Sequence, residues 1–130
     1  TDSIMEVDSL LEKQPDSDRL LEAHPEVCFR ALNGKPLPYS KSTALGVVER
    51  LRILEETAEY ETGDWKSIVE SIDESPTEVS VDDVLDATVL AITANADDDE
   101  FHTLPQSPAR DAEGRPMQMV YRSPEVLDFE

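Results

Sequence analysis

The sequence has little cysteine, few basic residues and no long apolar run, and each shortage excludes a class of protein. Cys28 is the only cysteine among 130 residues, which excludes an internal disulfide and a zinc site built from clustered cysteines. The 11 basic residues stand against 30 acidic ones, giving a net charge of -19. Such a charge disfavours an ordinary nucleic-acid-binding module or an anionic membrane surface as partner. No apolar run approaches the roughly 20 residues that span a bilayer.

The charge balance also predicts where the protein works. Residues 1–8 are acidic and lack the basic-then-apolar order of a secretory signal, so we expect a cytoplasmic protein. Only four basic residues are lysine, and an acid-rich, lysine-poor composition is typical of a cytoplasm with molar salt. At 1 M salt the Debye length is about 3 Å, which screens most of the self-repulsion. We therefore expect a halophilic source and a fold that needs salt.

Hydrophobic residues make up 38% of the chain and recur in periodic blocks, which predicts one folded domain. Helices are predicted over residues 3–14, 25–33, 43–59, 64–72 and 81–96. Strands are predicted over residues 19–23 and 117–121, with irregular structure over most of 101–116. Because an isolated strand pair is marginal on its own, this α/β pattern suggests an incomplete sheet.

Local signals place the helix ends. Pro25 suits a first helical position after a His24 side-chain cap, and Gly34 suits the C-cap. The helix that begins at residue 25 is predicted to turn Val27, Cys28, Ala31 and Leu32 inward. The helix that Thr43 caps is predicted to bury Val47, Val48, Leu51, Leu54 and Ala58. Its solvent side is then formed by Glu49, Arg50, Arg52, Glu55 and Glu56.

An acidic group at the start of the last helix is the best candidate for chemistry. Asp82 and Asp86 are four residues apart and Asp83 and Asp86 three apart, so pairs of them share a helix face. Glu22 ends the first predicted strand, where functional groups gather in open α/β sheets. Carboxylates arranged in this way suit Mg²⁺, which prefers oxygen ligands. The alternative is structural, since Ser80 with Asp83 is also a capping box.

Three further residues have both a functional and a structural interpretation. His24 is most simply a helix cap. Lys41 lies in a Ser-Lys-Ser loop that suits a bound phosphate, although most such lysines are solvated loop residues. Cys28 lies on an apolar helix face and has no base partner at a recognisable spacing, which favours a place in the core over a nucleophilic role.

Two stretches, Glu22-Ala23-His24-Pro25-Glu26 and Asp82-Asp83-Val84-Leu85-Asp86-Ala87, resemble the domain-of-unknown-function family 429, described as predicted RNase H-like nucleases. Other matching pieces are residues 5–11, 27–29, 31–34, 38–43, 46, 49–51, 93–94, 104–105 and 111–117. In order and spacing they are similar to the C-terminal half of the family, over residues 4 to 121. The Gly-rich first strand of the family, with its first Asp, has no counterpart here.

The resemblance implies an RNase H-like fold, here partial and helix-rich with two or three short strands. It implies such a half-domain over residues 1–122, followed by a tail over 123–130. It also implies a carboxylate centre for Mg²⁺ or Mn²⁺, with Glu22, Asp83 and Asp86 as catalytic ligands and Asp82 beside them. His24 and Lys41 lie in matching motifs.

Three functions follow as hypotheses. The first is the C-terminal portion of a metal-dependent nuclease that acts on a nucleic acid substrate, here without the N-terminal half, with Mg²⁺-activated water as the nucleophile. The second is a non-catalytic remnant that forms a homo-oligomer or docks an N-terminal partner chain through an exposed sheet edge. The third is a phosphate or nucleotide binder that uses the loop from Ser40 to Ser42.

Overall fold

The computed structural model describes residues 21–57, 67, 70, 73–74 and 79–129, and the elements whose bounds it gives include three α-helices and a two-stranded antiparallel sheet. The elements are α1 (Pro25–Asn33), α2 (Ala44–Glu55), α3 (Val81–Ala94), a short 3₁₀ helix (Asp98–Glu100), β1 (Phe101–Leu104) and β2 (Met119–Arg122). The predicted mixed α/β class is confirmed. The helix predicted over residues 3–14 lies outside the described residues, as does most of the one over 64–72.

The ends of α1 follow from its sequence, with one exception. Pro25 takes the first turn, and Gly34 closes the helix with φ 80° while its N–H donates to the Arg30 carbonyl. A positive φ of this size favours glycine, which has no Cβ to clash. The prediction that the His24 side chain caps α1 is wrong, because that side chain makes no capping hydrogen bond. Pro25 itself has no N–H, so α1 begins with one donor fewer to satisfy.

The other two helices begin with the caps that the sequence predicts. The Thr43 hydroxyl accepts a hydrogen bond from the Gly46 N–H at 3.0 Å. Ser80 and Asp83 form a reciprocal capping box, with bonds of 3.1 Å and 3.3 Å between side chain and backbone. Such a box satisfies two backbone donors that the helix itself leaves free.

The sheet differs from the prediction. β1 pairs with β2 in the register Phe101↔Arg122 to Leu104↔Met119, although β1 falls in a stretch predicted to be irregular. A short strand is stabilised mainly by packing against its partner strand. The four residues of β1 are too few to show the alternating hydrophobic pattern that would predict a strand. In the described part of the strand predicted over residues 19–23, one parallel bridge joins Ala23 to Val120. The Val120 N–H donates to the Glu22 carbonyl at 2.9 Å, which places Glu22 beside β2.

The core lies where α1 packs against α2, α3 and β2. Its fully buried side chains include Cys28, Phe29, Leu54, Leu85 and Val89. Cys28 is therefore a core residue, and burial raises the pKa of its thiol. No helix within the described ranges is long and apolar enough to cross a membrane.

One face of α2 is assigned wrongly by its hydrophobic pattern. Val48, predicted to be buried, is 62% exposed, whereas Glu49 and Arg50, predicted to face solvent, are 8% and 2% exposed. Arg50 can be buried because carboxylate and carbonyl oxygens surround its guanidinium. A buried charge that is fully hydrogen-bonded avoids most of the cost of leaving water.

The last described residues, in the segment predicted to be a tail, pack against the helices and the sheet. The Phe129 ring lies edge-on to Tyr121 at 5.1 Å between centroids, and the Arg30 guanidinium lies 4.8 Å from the Phe129 centroid. Arg30 also donates to the Phe129 carbonyl at 3.2 Å. These contacts fasten the terminal segment to α1 and β2.

Candidate functional site

The candidate site is an ion cluster of Lys41, Asp82 and Asp86, here called the Lys41 cluster. The Lys41 ammonium lies 3.4 Å from Asp82 Oδ2 and 3.5 Å from Asp86 Oδ2. The two carboxylates lie one turn apart on α3, so both point to the same side. Asp86 is 24% exposed and the other two side chains about 40%. The cluster is thus open enough for a small ligand to reach.

Lys41 reaches α3 because its loop is tightly held from both sides. The Ser40 carbonyl accepts hydrogen bonds from the Thr43 N–H at 3.0 Å and the Thr43 hydroxyl at 2.7 Å. The hydroxyls of Ser40 and Ser42 lie 2.9 Å apart. These bonds turn the chain sharply around Lys41, which leaves its side chain directed at α3.

An arginine–glutamate pair that sequence reasoning missed lies next to the cluster. Arg50 donates to both carboxylate oxygens of Glu26, at 3.1 Å from Nε and 2.6 Å from Nη2. Its Nη1 donates to the Tyr39 and Gly46 carbonyls at 3.1 Å and 3.0 Å. The available signal was Glu26 in the Glu-x-His-Pro-Glu stretch, but an acid in the first turn of a helix is also explained by the helix dipole alone.

The charged groups of the Lys41 cluster shift the pKa values of Asp86 and Lys41. Burial raises the pKa of Asp86, and the Asp82 and Glu26 carboxylates raise it further, while Lys41 opposes them. The carboxylates of Asp86 and Asp82 in turn raise the pKa of Lys41. Lys41 therefore stays a cation at neutral pH, which makes it a counter-ion rather than a nucleophile.

Asp82 has an oxygen that the cluster leaves unsatisfied. Its Oδ1 atom is buried and makes no hydrogen bond with the described residues. A buried carboxylate oxygen without a partner is costly, and a cation or a donor placed there removes that cost. Glu49 Oε2, on α2, is likewise buried and makes no hydrogen bond with the described residues. A further donor or cation at Asp82 would therefore contact an oxygen that no described residue engages.

The remaining predicted ligands lie apart from this pair. Asp83 uses its carboxylate to cap α3, and Glu22 and His24 are exposed residues ahead of α1. In the part of the chain that the structure describes, no three acidic, histidine or cysteine side chains form a group that could hold one metal ion. The structure thus brings together Asp82 and Asp86, with Lys41 between them, and not the four predicted carboxylates.

Comparison with known proteins places this site in a family. A family model described as a protein of unknown function, DUF429, matches residues 1–110. The chain belongs to the DUF429 family. Neither a curated protein nor a solved structure matches it. The whole Lys41 cluster, together with Glu26 and Arg50, lies inside the part that matches DUF429.

Proposed function

We propose that this DUF429 chain is part of an RNase H-like nuclease that depends on Mg²⁺ or Mn²⁺, and that Asp82 and Asp86 hold the metal. One observation carries the proposal: two carboxylates one helical turn apart converge on a single cation, the Lys41 ammonium. The Oδ1 atom of Asp82 supports the proposal, because it has no hydrogen-bond partner among the described residues. A carboxylate oxygen of this kind is a ligand that Mg²⁺ prefers.

Two carboxylates are a sufficient donor set for this kind of metal. Mg²⁺ in phosphoryl-transfer sites is held by one or two carboxylates, with waters and substrate phosphate as the other ligands. When bound, the ion would generate a nucleophile from water and stabilise the leaving oxygen of a phosphodiester. The Asp83 carboxylate already accepts a hydrogen bond in the capping box. We therefore assign Asp83 a structural role and assign the metal to Asp82 and Asp86.

The charge of the Lys41 cluster favours a cation over a phosphate. One ammonium faces two carboxylates, which leaves the cluster with a net negative charge. A phosphate at the loop from Ser40 to Ser42 would meet a lysine that is already paired, and it would be repelled by the excess carboxylate. The loop alone is thus a poor phosphate site, and a metal would make phosphate binding favourable.

Calorimetric titration with Mn²⁺ and Mg²⁺ tests the proposal. Wild-type protein should bind Mn²⁺, and Asp82→Asn and Asp86→Asn should each weaken binding by at least about tenfold, since even the loss of a residue that only supports a metal ligand costs about 10–100-fold. Asp97→Asn removes one carboxylate from an exposed position between α3 and the 3₁₀ helix and should leave the affinity unchanged. Equal losses in all three variants would show nonspecific attraction to an acidic surface.

Hydrolysis of a chromogenic phosphodiester in the presence of Mn²⁺ tests the reaction itself. Any hydrolysis by the wild-type chain is expected to be lost in Asp86→Asn, and hydrolysis that survives this change would contradict the role of Asp86. If the wild-type chain binds no Mn²⁺, the metal assignment is wrong. That result would favour the alternative that the chain is a non-catalytic remnant that forms a homo-oligomer or docks a partner chain. Sedimentation equilibrium then separates the two forms of that alternative, since self-association gives a concentration-dependent mass and a docking role does not.

A further inference from the structure

Arg50 is the most deeply buried charged side chain next to the Lys41 cluster, at 2% exposure. Its guanidinium donates hydrogen bonds to three parts of the chain. The acceptors are the Glu26 carboxylate in α1, the Tyr39 carbonyl just before the Ser40–Ser42 loop, and the Gly46 carbonyl in α2. Glu26 accepts two of these bonds side by side, which fixes the plane of the guanidinium. A surface arginine would not need such a set of partners.

The hydrogen bonds of Arg50 hold the chain immediately before Lys41. The Tyr39 carbonyl is tied to Arg50, and the next carbonyl, that of Ser40, is tied to Thr43. The backbone on the N-terminal side of Lys41 is thus fixed at two successive peptide groups. A side chain that leaves such a fixed backbone has few directions open to it.

We infer that Arg50 is a positioning residue, which places the Lys41 ammonium between Asp82 and Asp86 by fastening the loop to α1 and α2 at once. The inference deepens the proposed function, because it names what controls access to the same carboxylates. Lys41 occupies the space between them and competes with any metal for their oxygens. Arg50 therefore sets how strongly that competition opposes metal binding.

A lysine at position 50 would keep the charge and lose the placement. Its single ammonium lacks the fork that reaches both oxygens of Glu26, and it cannot serve the Tyr39 and Gly46 carbonyls at the same time. Arg50→Lys thus separates charge from geometry. The matched control is Arg52→Lys, an exposed arginine two residues further along α2.

The first readout is the Lys41 side-chain signal in a ¹⁵N-edited NMR spectrum of the lysine ammonium groups. Four lysines are present, and Lys41→Arg identifies the signal by its loss. An ammonium held by two carboxylates exchanges its protons slowly with water, and we expect this of Lys41 in the wild type. Arg50→Lys should speed the exchange towards that of exposed Lys35, while Arg52→Lys should leave it unchanged.

The second readout is the Mn²⁺ affinity. Lys41→Met removes the competing ammonium and should raise the affinity, and Arg50→Lys should produce part of the same rise. If the wild type binds no Mn²⁺, the proposed function fails, while the Lys41 signal still decides the role of Arg50.

Circular dichroism shows whether each variant folds. If Arg50→Lys does not fold, Glu26→Gln tests the same contact from the other side. The glutamine turns one acceptor into a donor that faces the guanidinium, so it should loosen Arg50 and speed the exchange at Lys41. A folded Arg50→Lys or Glu26→Gln protein whose Lys41 signal matches the wild type would overturn the inference.

Discussion

Gly46 lies directly against the backbone of Ser40: a Cβ at position 46 would stand 1.8 Å from the Ser40 carbonyl oxygen. No Cβ atom tolerates such a distance, and the obstacle is backbone rather than a flexible side chain. The same carbonyl accepts both hydrogen bonds from Thr43. The close approach of α2 to the loop therefore depends on the absence of a side chain at Gly46.

Gly46→Ala is expected to destabilise the protein and to move Lys41. Forcing a methyl group into a packed site costs about 1–3 kcal/mol, which over most of that range is more than the gain in helix propensity of roughly 1 kcal/mol. Urea denaturation measures the change in the free energy of unfolding. Val48→Ala on the exposed side of the same helix should change it by less than about 0.5 kcal/mol. Comparable losses in both variants would show that the contact with Ser40 is unimportant.

Phe129→Ala is expected to release the end of the chain. The ring contacts Arg30 and Tyr121, and such cation–π and edge-on ring contacts contribute about 0.5–1.5 kcal/mol each. The variant should unfold at lower urea and expose the amide of Leu127, which donates to the Tyr121 hydroxyl, to hydrogen exchange. Val126→Ala at a 54% exposed position is the control. Unchanged protection at Leu127 would contradict the packing of this segment.

Asp86 is expected to titrate above 3.8, the usual pKa of an aspartate, because burial raises its pKa. Asp82→Asn should lower this pKa by removing a neighbouring negative charge, and Lys41→Met should raise it by removing the positive one. Carboxyl ¹³C titration by NMR measures all three. A midpoint at or below 3.8 in the wild type would mean that the attraction of Lys41 outweighs the burial of Asp86.

The sign of the accompanying stability change follows from the direction of that shift. A carboxyl whose pKa is higher in the folded state adds stability below its unfolded pKa and loses it as pH rises through the folded pKa. The stability of the wild type relative to Asp86→Asn should therefore fall as pH rises through this window. A rise over the same window would mean that Lys41 outweighs burial.

Salt is expected to raise the free energy of unfolding. At a net charge of -19, self-repulsion opposes the compact state, and raising the salt from about 0.1 M to about 1 M shortens the Debye length from about 10 Å to 3 Å. Circular dichroism melts in increasing KCl should show a rising midpoint. A midpoint independent of KCl would remove the case for a halophilic source.

Local features were predictable from the sequence because they involve residues within one helical turn. Pro25, Gly34, Thr43 and the Ser80–Asp83 box act where the sequence places them. The capping box also gives one of the three aspartates, Asp83, a structural role. The spacings of Asp82 and Asp83 to Asp86 are equally compatible with a shared face, and only the bond from the Ser80 N–H to Asp83 shows which carboxylate is already engaged.

Long-range features were not predictable from the sequence. Lys41 and Asp86 are separated by 45 residues, and no local spacing relates them. Arg50 has the pattern of a solvent-side residue, because a periodicity of apolar residues cannot show that carbonyls and a carboxylate surround a buried cation. β1 forms only by pairing with β2, so its four residues carry no signal of their own.

The sequence by itself determined the helix starts, the C-cap of α1, the core position of Cys28 and the acidic start of α3, since each depends on local geometry or on burial of one apolar face. Only the tertiary structure decided which acids share a cation. That choice depends on where the loop before α2 meets α3, and this meeting is set by the buried Arg50 and by the missing side chain of Gly46. Both act through contacts between elements, which a linear pattern does not contain.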